Sequence, residues 1–190
     1  MNEIKNRKFP LERDLYGIQN SKIINCRFEG VEDGESALKE TKDIIIKKCY
    51  FDLRYPIWHF NNVKIYDSEM TTSCRAALWY GDYLKIKRSK LNGIKVVREC
   101  KNVRISDSEI NSQEFAWNSN LKEMFEFFDM KEDDESFDAN TVSGFVTEFL
   151  GEIPVAGKTF EYKNLKIDVM KSTVKRVLQI KVTVNKITEE

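Results

Sequence analysis

The chain has 190 residues, 41% hydrophobic and 33% charged, enough apolar material for one or two modest cores and too polar for a membrane protein. Lys plus Arg equals Asp plus Glu at 31 each, so no net field favours nucleic acid or an anionic membrane. No apolar run approaches the ~18 residues of a transmembrane segment, and Met1 to Pro10 has charges without the apolar stretch of a secretory signal, so the expected location is cytoplasmic.

From the N-terminus to about residue 120 a phrase recurs: apolar, any, apolar, any, any, Ser or Cys, any, apolar. With Ser21 in the first slot it reads Ile23, Cys26, Phe28; it returns as Ile44, Ile46, Cys49, Phe51, as Val63, Ile65, Ser68, Met70, as Leu84, Ile86, Ser89, Leu91, and as Val103, Ile105, Ser108, Ile110. The Ser/Cys positions lie 23, 19, 21 and 19 residues apart, close to the length of one solenoid turn. Alternation within each phrase marks a strand with one inward face. One phrase cannot bury that face alone, whereas parallel stacking about 4.8 Å apart does, which predicts a right-handed parallel β-helix of about five coils over residues 1–121. Leu38, Ile57, Leu78, Val97 and Phe115 each fall six positions before the next coil's first apolar slot and form a second inward ladder. Turn residues separate the ladders at Lys42-Asp43, Asn61-Asn62, Lys101-Asn102 and Ser119-Asn120. The residue order of a leucine-rich repeat is absent.

The polar residues of these coils carry little chemistry that spacing alone identifies. Cys26, Cys49, Cys74 and Cys100 lack CxxC spacing, and His59 is the single histidine, so no finger-type metal site is expected. Cys26 and Cys49 share one inward slot and read as core thiols. Two outward columns, Asn25, Lys48, Asp67, Arg88, Asp107 and Arg27, Tyr50, Glu69, Lys90, Glu109, alternate in sign. That places Arg88 between Asp67 and Asp107, and Lys90 between Glu69 and Glu109, a register-setting ladder rather than a catalytic pair of acids. No catalytic residue is assigned. Another outward face carries Lys39, Trp58, Trp79, Arg98, Ala116 and, beside them, Glu40, His59, Tyr80, Glu99, Trp117. Trp58, His59, Trp79, Tyr80, Arg98 and Glu99 are the candidate ligand-binding residues, a strip suited to stacking on sugar rings or on a partner's side chains. The competing reading is that one column packs under a neighbouring loop or belongs to a wide core. Arg54 and Arg75 either add anion contacts or pair with Glu35 and Asp52.

The blocks Leu15-Tyr16, Glu32 to Glu40, Leu53 to His59, Cys74 to Tyr80, Gly93 to Lys95 and Arg98 to Cys100 resemble the bacterial family called domain of unknown function 3737. The resemblance covers about residues 1–121. It implies a parallel β-helix, usually longer by several coils, and no established activity.

At Leu121-Lys122 the phrase begins again but breaks at Glu123. Leu121, Met124, Phe125 and Phe128 then follow helical spacing, so residues 122–138 read as a capping helix and a solvated acidic linker running through Lys131 to Ser136. The abrupt loss of period inside a coil favours a recent join near Leu121 over a natural regulatory fusion. Beyond Phe137, Asn140 or Thr141 can cap a helix to Leu150 that Gly151 ends. Pro154 and Gly157 bracket a turn, strands follow at Thr159–Tyr162, Leu165–Met170 and Arg176–Val184, and Lys163-Asn164 suits a tight hairpin. Residues 139–190 are thus a small α+β unit.

Thr141-Val142, Gly144-Phe145, Glu148, Leu150-Gly151, Ile153-Pro154, Gly157, Phe160, Tyr162, Leu165 and Val169 resemble the transporter-associated domain of CorC/HlyC-type proteins, with Ser143 and Phe145 where Gly and Trp are commoner. In that family the domain follows a membrane domain and a CBS pair and is associated with Mg/Co efflux and its regulation. Neither accompanying domain is present here, so ion transport itself is not expected. The resemblance also implies a fold like FAD-binding PCMH-type modules, making FAD a cofactor by analogy only. No Gly-rich phosphate cradle in this segment points to it independently. The expectation is a non-enzymatic binding or regulatory protein with an unknown protein or small-molecule partner and self-association through the solenoid ends. The alternatives are an FAD or nucleotide sensor and a carbohydrate-binding or carbohydrate-active β-helix.

Overall fold

The computed structural model describes residues 1–30, 36–113, 121–128, 130 and 137–185. It is mainly β. One parallel sheet joins β1 (Asn2–Lys5), β3 (Gln19–Ile24), β5 (Lys42–Lys47), β7 (Ile57–Tyr66), β9 (Leu78–Lys87) and β11 (Val97–Ser106) in that order. The intervening strands β2 (Lys8–Phe9), β4 (Arg27–Glu29), β6 (Tyr50–Asp52), β8 (Glu69–Met70), β10 (Lys90–Ile94) and β12 (Ser108–Gln113) stack in parallel in a second. This is a solenoid of six turns, one more than the repeated phrase reveals. The additional turn is the first: Ile4 pairs with Ile23 and Phe9 with Phe28, but Arg7 stands in the Ser/Cys slot and hides the pattern.

The apolar slots are the core. Ile23, Ile46, Ile65, Ile86 and Ile105 are buried in one file, and Phe9, Phe28 and Phe51 stack in another at 4.9 and 4.7 Å. Leu38, Ile57, Leu78 and Val97 form the second inward ladder as expected. Phe115, Ser119 and Asn120 lie outside the described residues.

Left-handed backbone residues mark four corners per turn. The first corner holds Arg13, Ser36, Tyr55, Ala76 and Lys95; the second Gly17, Glu40, His59, Tyr80 and Glu99. The third holds Asn20, Asp43, Asn62, Tyr83 and Asn102; the fourth Asn6, Asn25, Lys48, Asp67, Arg88 and Asp107. Left-handed backbone is unfavourable for residues such as Lys48 and Arg88. Stacking offsets this at the fourth corner, whose N–H donates to the next turn: Asn25 to the Lys47 carbonyl at 2.9 Å, Lys48 to Tyr66 at 3.0 Å and Asp67 to Lys87 at 3.1 Å. The Ser slot has a related cause. Ser68 Oγ accepts from the Cys49 N–H at 3.0 Å, Ser89 Oγ from the Ser68 N–H at 3.2 Å and Ser108 Oγ from the Ser89 N–H at 3.1 Å. A small hydroxyl there satisfies a buried donor of the turn before. Steps between corners within a turn never vary, so the irregular period comes entirely from the segment leading from the fourth corner to the next turn's first.

Both growing edges of the solenoid are covered. Helix α1 (Leu121–Phe127) packs on β11 and buries Leu121, Met124, Phe127 and Phe128. The second sheet is closed differently, by antiparallel pairing of β12 with β15 (Val177–Val184) over six residue pairs, from Ser108 with Val184 to Gln113 with Gln179. The capping expected of the helix alone is therefore shared with a strand. β14 (Leu165–Ser172) and β13 (Thr159–Tyr162) extend the same sheet to nine strands. Helix α2 (Val142–Leu150) starts at Thr141, whose hydroxyl accepts from the Gly144 N–H at 3.1 Å, and ends at Gly151 with φ 74°. Lys163, at φ 53°, and Asn164 make the two-residue hairpin. No helix among the described residues is long and apolar enough to cross a membrane.

Candidate functional site

Parallel, in-register stacking sets each side chain above its counterpart one turn away. Trp58 on β7, Trp79 on β9 and Arg98 on β11 are such counterparts, immediately outside the buried Ile57, Leu78 and Val97. The two indoles stack at 5.0 Å with 8° between their planes. Lys39 Nζ lies 4.1 Å from the Trp58 ring centre and the Arg98 guanidinium carbon 4.3 Å from that of Trp79. The column is a cation, two indoles and a cation, each outer contact a cation–π pair.

The second corner places His59, Tyr80 and Glu99 alongside. His59 stacks on Tyr80 at 5.2 Å, and Tyr80 lies 5.1 Å from Trp79. Arg98 Nε donates to Glu99 Oε1 at 3.1 Å. The Tyr80 hydroxyl and then Arg98 hold the Glu99 carboxyl below the usual carboxylate range, and Glu99 in turn raises Tyr80. The Trp79 N–H lies near enough to favour the Glu99 carboxylate but outside hydrogen-bonding geometry.

All six residues singled out in the sequence therefore form one ladder. Its two columns differ. Tyr55, from the first corner, lies 6.5 Å from Trp58 and 5.8 Å from Trp79, leaving the indoles half-buried, with both N–H groups closed off from solvent and unpartnered among the described residues. The His59–Tyr80 column is exposed, Tyr80 by 41%. Both faces of each indole are already stacked, so the strip presents rims and the Arg98–Glu99 pair rather than a free aromatic face. The next rung, Ala116 and Trp117, lies outside the described residues.

Other polar groups resolve into supporting contacts. Asp52 accepts from Ser73 Oγ and from Thr71 Oγ1, the latter at 2.7 Å, hydroxyls that lower its carboxyl. Glu35 lies outside the described residues. Arg88 forks onto Asp67 at 2.6 and 3.1 Å as the ladder requires, but Asp107 takes Lys87 at 3.4 Å. Lys90 lies in register between Glu69 and Glu109, and Glu109 also receives Lys181 of β15 at 3.0 Å. The four thiols are buried and form no disulfide; burial pushes Cys49 and Cys100 up to about 12 and Cys74 to about 11, so these three stay protonated and weak as nucleophiles. No cluster of three metal-ligating side chains occurs among the described residues.

One feature escaped the sequence reading. The middle residue of each apolar-any-apolar triplet points outward from the first sheet, and there Lys64, Lys85 and Arg104 stack in register. With Tyr83, Lys101 and α1 they line a groove of about 730 Å³. The signal was available as like charges recurring at the period, but only α1 turns the face into a groove.

Comparison with known proteins yields two family matches. The model for a protein of unknown function, DUF3737, matches residues 2–142, and that for the CorC/HlyC transporter-associated domain matches residues 118–186. Both take in α1. No curated protein and no solved structure matches the chain. A match over about three quarters of the length, on a six-turn solenoid, places the chain in the DUF3737 family, here with a transporter-associated domain of CorC/HlyC type at its C-terminal end.

Proposed function

We propose that this protein is a non-enzymatic binding and regulatory module, in which the solenoid receives a ligand or partner and the CorC/HlyC-type domain transmits the event. The observation that carries this reading is the six-pair seam between β12 and β15. It makes the solenoid's second sheet and the C-terminal sheet one hydrogen-bonded body, so a change in the stability of the last turns bears directly on the C-terminal domain. The exposed His59 and Tyr80 with the half-buried Glu99, backed by Trp58, Trp79 and Arg98, are the receiving surface. Its stacked indole faces favour a partner's side chains over a sugar ring, which needs an open face. A flavin-sensing role for the C-terminal domain rests on fold analogy alone and stands second.

A thermal-shift panel on the full chain with Mg and Co salts, FAD, adenine nucleotides and oligosaccharides, followed by turnover assays on every hit, tests this. A ligand at about a hundredfold excess over its Kd adds about 2.7 kcal/mol to stability. Binding without turnover supports a regulatory module. Reproducible turnover abolished by one side-chain substitution overturns it.

A further inference from the structure

The outer face of the first sheet is basic in a confined stretch. Lys64, Lys85 and Arg104 occupy one position on β7, β9 and β11, about 10 Å from first to last at sheet spacing. In the turn before, the same position is Ile45, and one turn earlier it is Lys22. The basic run thus spans three turns and stops. Lys101 adds a fourth cation from the third-corner side, while Glu126 of α1 is the one acid lining the groove among the described residues. Lys64, Lys85 and Lys101 are exposed and make no ion pair or side-chain hydrogen bond with any other described residue. Like charges directly opposite on neighbouring strands are destabilising. Over the same three turns the second sheet avoids that arrangement by alternating Glu69, Lys90 and Glu109, and the first sheet does not.

The rest of the groove is suited to a small molecule. Phe127 and Met130 close one side, Asn62 and Asn102 stand at the third corner, and Tyr83 between them is 58% exposed. A volume of about 730 Å³ falls in the range of small-ligand clefts, of about 300–1,000 Å³. We propose that this groove binds a small oligophosphate: its phosphates lie along Lys64, Lys85 and Arg104, with Lys101 beside them. Several ammonium groups on separate flexible stems suit clustered phosphate oxygens, whereas a single carboxylate would engage one or two of them. The short basic run matches a di- or triphosphate chain and not an extended polymer. Tyr83 is placed to stack on a base when the oligophosphate is a nucleotide.

Isothermal titration of the full chain with inorganic tripolyphosphate, at about 50 mM salt and again at about 300 mM, tests the site. The expected result is one-to-one binding that weakens with salt. A Lys64→Ala, Lys85→Ala double variant, its fold verified by circular dichroism, should bind roughly tenfold or more weakly. A Lys48→Ala, Lys90→Ala variant removes the same charge elsewhere and should bind as the parent does. ATP distinguishes the source: tighter binding than tripolyphosphate, lost in Tyr83→Asn, identifies a nucleotide, and equal affinity identifies the inorganic chain. Absence of tripolyphosphate binding at low salt, or equal weakening in both double variants, overturns the proposal. None of these outcomes depends on the aromatic strip at the second corner.

Discussion

On the outer face of the second sheet, charges change sign from turn to turn: Glu69, Lys90 and Glu109 stand in register, and Arg88 beside them forks onto Asp67. On the outer face of the first, the same three turns present Lys64, Lys85 and Arg104 one above another. Both faces are exposed, both are set by the same stacking, and the inward residues beneath both are buried isoleucine, leucine, valine and methionine. The scaffold therefore does not explain the difference. An alternating column is stabilised by its own neighbours and fixes register; a column of one sign is destabilised by them and is relieved by an external anion. The contrast separates a surface that serves folding from one that serves binding.

Both faces rest on one core, and the largest expected effect tests that. Phe51 is fully buried and stacked on Phe28, so Phe51→Ala should cost about 3–5 kcal/mol in chemical denaturation. A loss of only about 1 kcal/mol, well below the usual cost of such a truncation, would mean that the turns are only loosely coupled. A smaller loss is expected from Ser89→Ala. It strands the Ser68 N–H that Ser89 Oγ accepts from, at about 1–3 kcal/mol, and Ser89→Cys should recover part of it because cysteine fills this slot at positions 26 and 49. Equal loss in both variants would show that sulfur does not replace the hydroxyl as acceptor at this position.

Acid should act on the paired face. Glu29 is lowered from its ordinary 4.5 to about 2, first by Arg27 and then by Lys8, and Asp67 is lowered by Arg88. A carboxylate depressed in the folded state stabilises above its unfolded pKa and loses that contribution as pH falls through the folded one. Stability should accordingly decline from about pH 4.5 toward about pH 2, and Arg88→Ala should flatten the part belonging to Asp67. An unchanged acid limb in that variant would remove the Arg88 fork from the account.

Much of this was legible in the sequence because a solenoid repeats its local rules. Five phrases placed five of the six turns, Thr141 and Gly151 marked the ends of α2, and constant offsets brought Trp58, His59, Trp79, Tyr80, Arg98 and Glu99 together. What was not legible has physical reasons. Arg7 in the Ser/Cys slot concealed the first turn. The β12–β15 seam joins segments about 70 residues apart, and no local pattern sets its register. Left-handed corners at Lys48 and Arg88 contradict residue preference and are held by N–H bonds to carbonyls of the next turn. The groove needs α1 lying against β11, a contact that helical spacing announces without saying which face it covers.

The most direct test of the contrast is a single substitution, Lys85→Glu, followed by chemical denaturation and titration with tripolyphosphate. It sets a carboxylate between Lys64 and Arg104 and so gives the first sheet the sign alternation of the second. The account predicts a gain of about 0.2–1 kcal/mol in stability together with loss of tripolyphosphate binding. A destabilised protein, or one that still binds tripolyphosphate as the parent does, would contradict it.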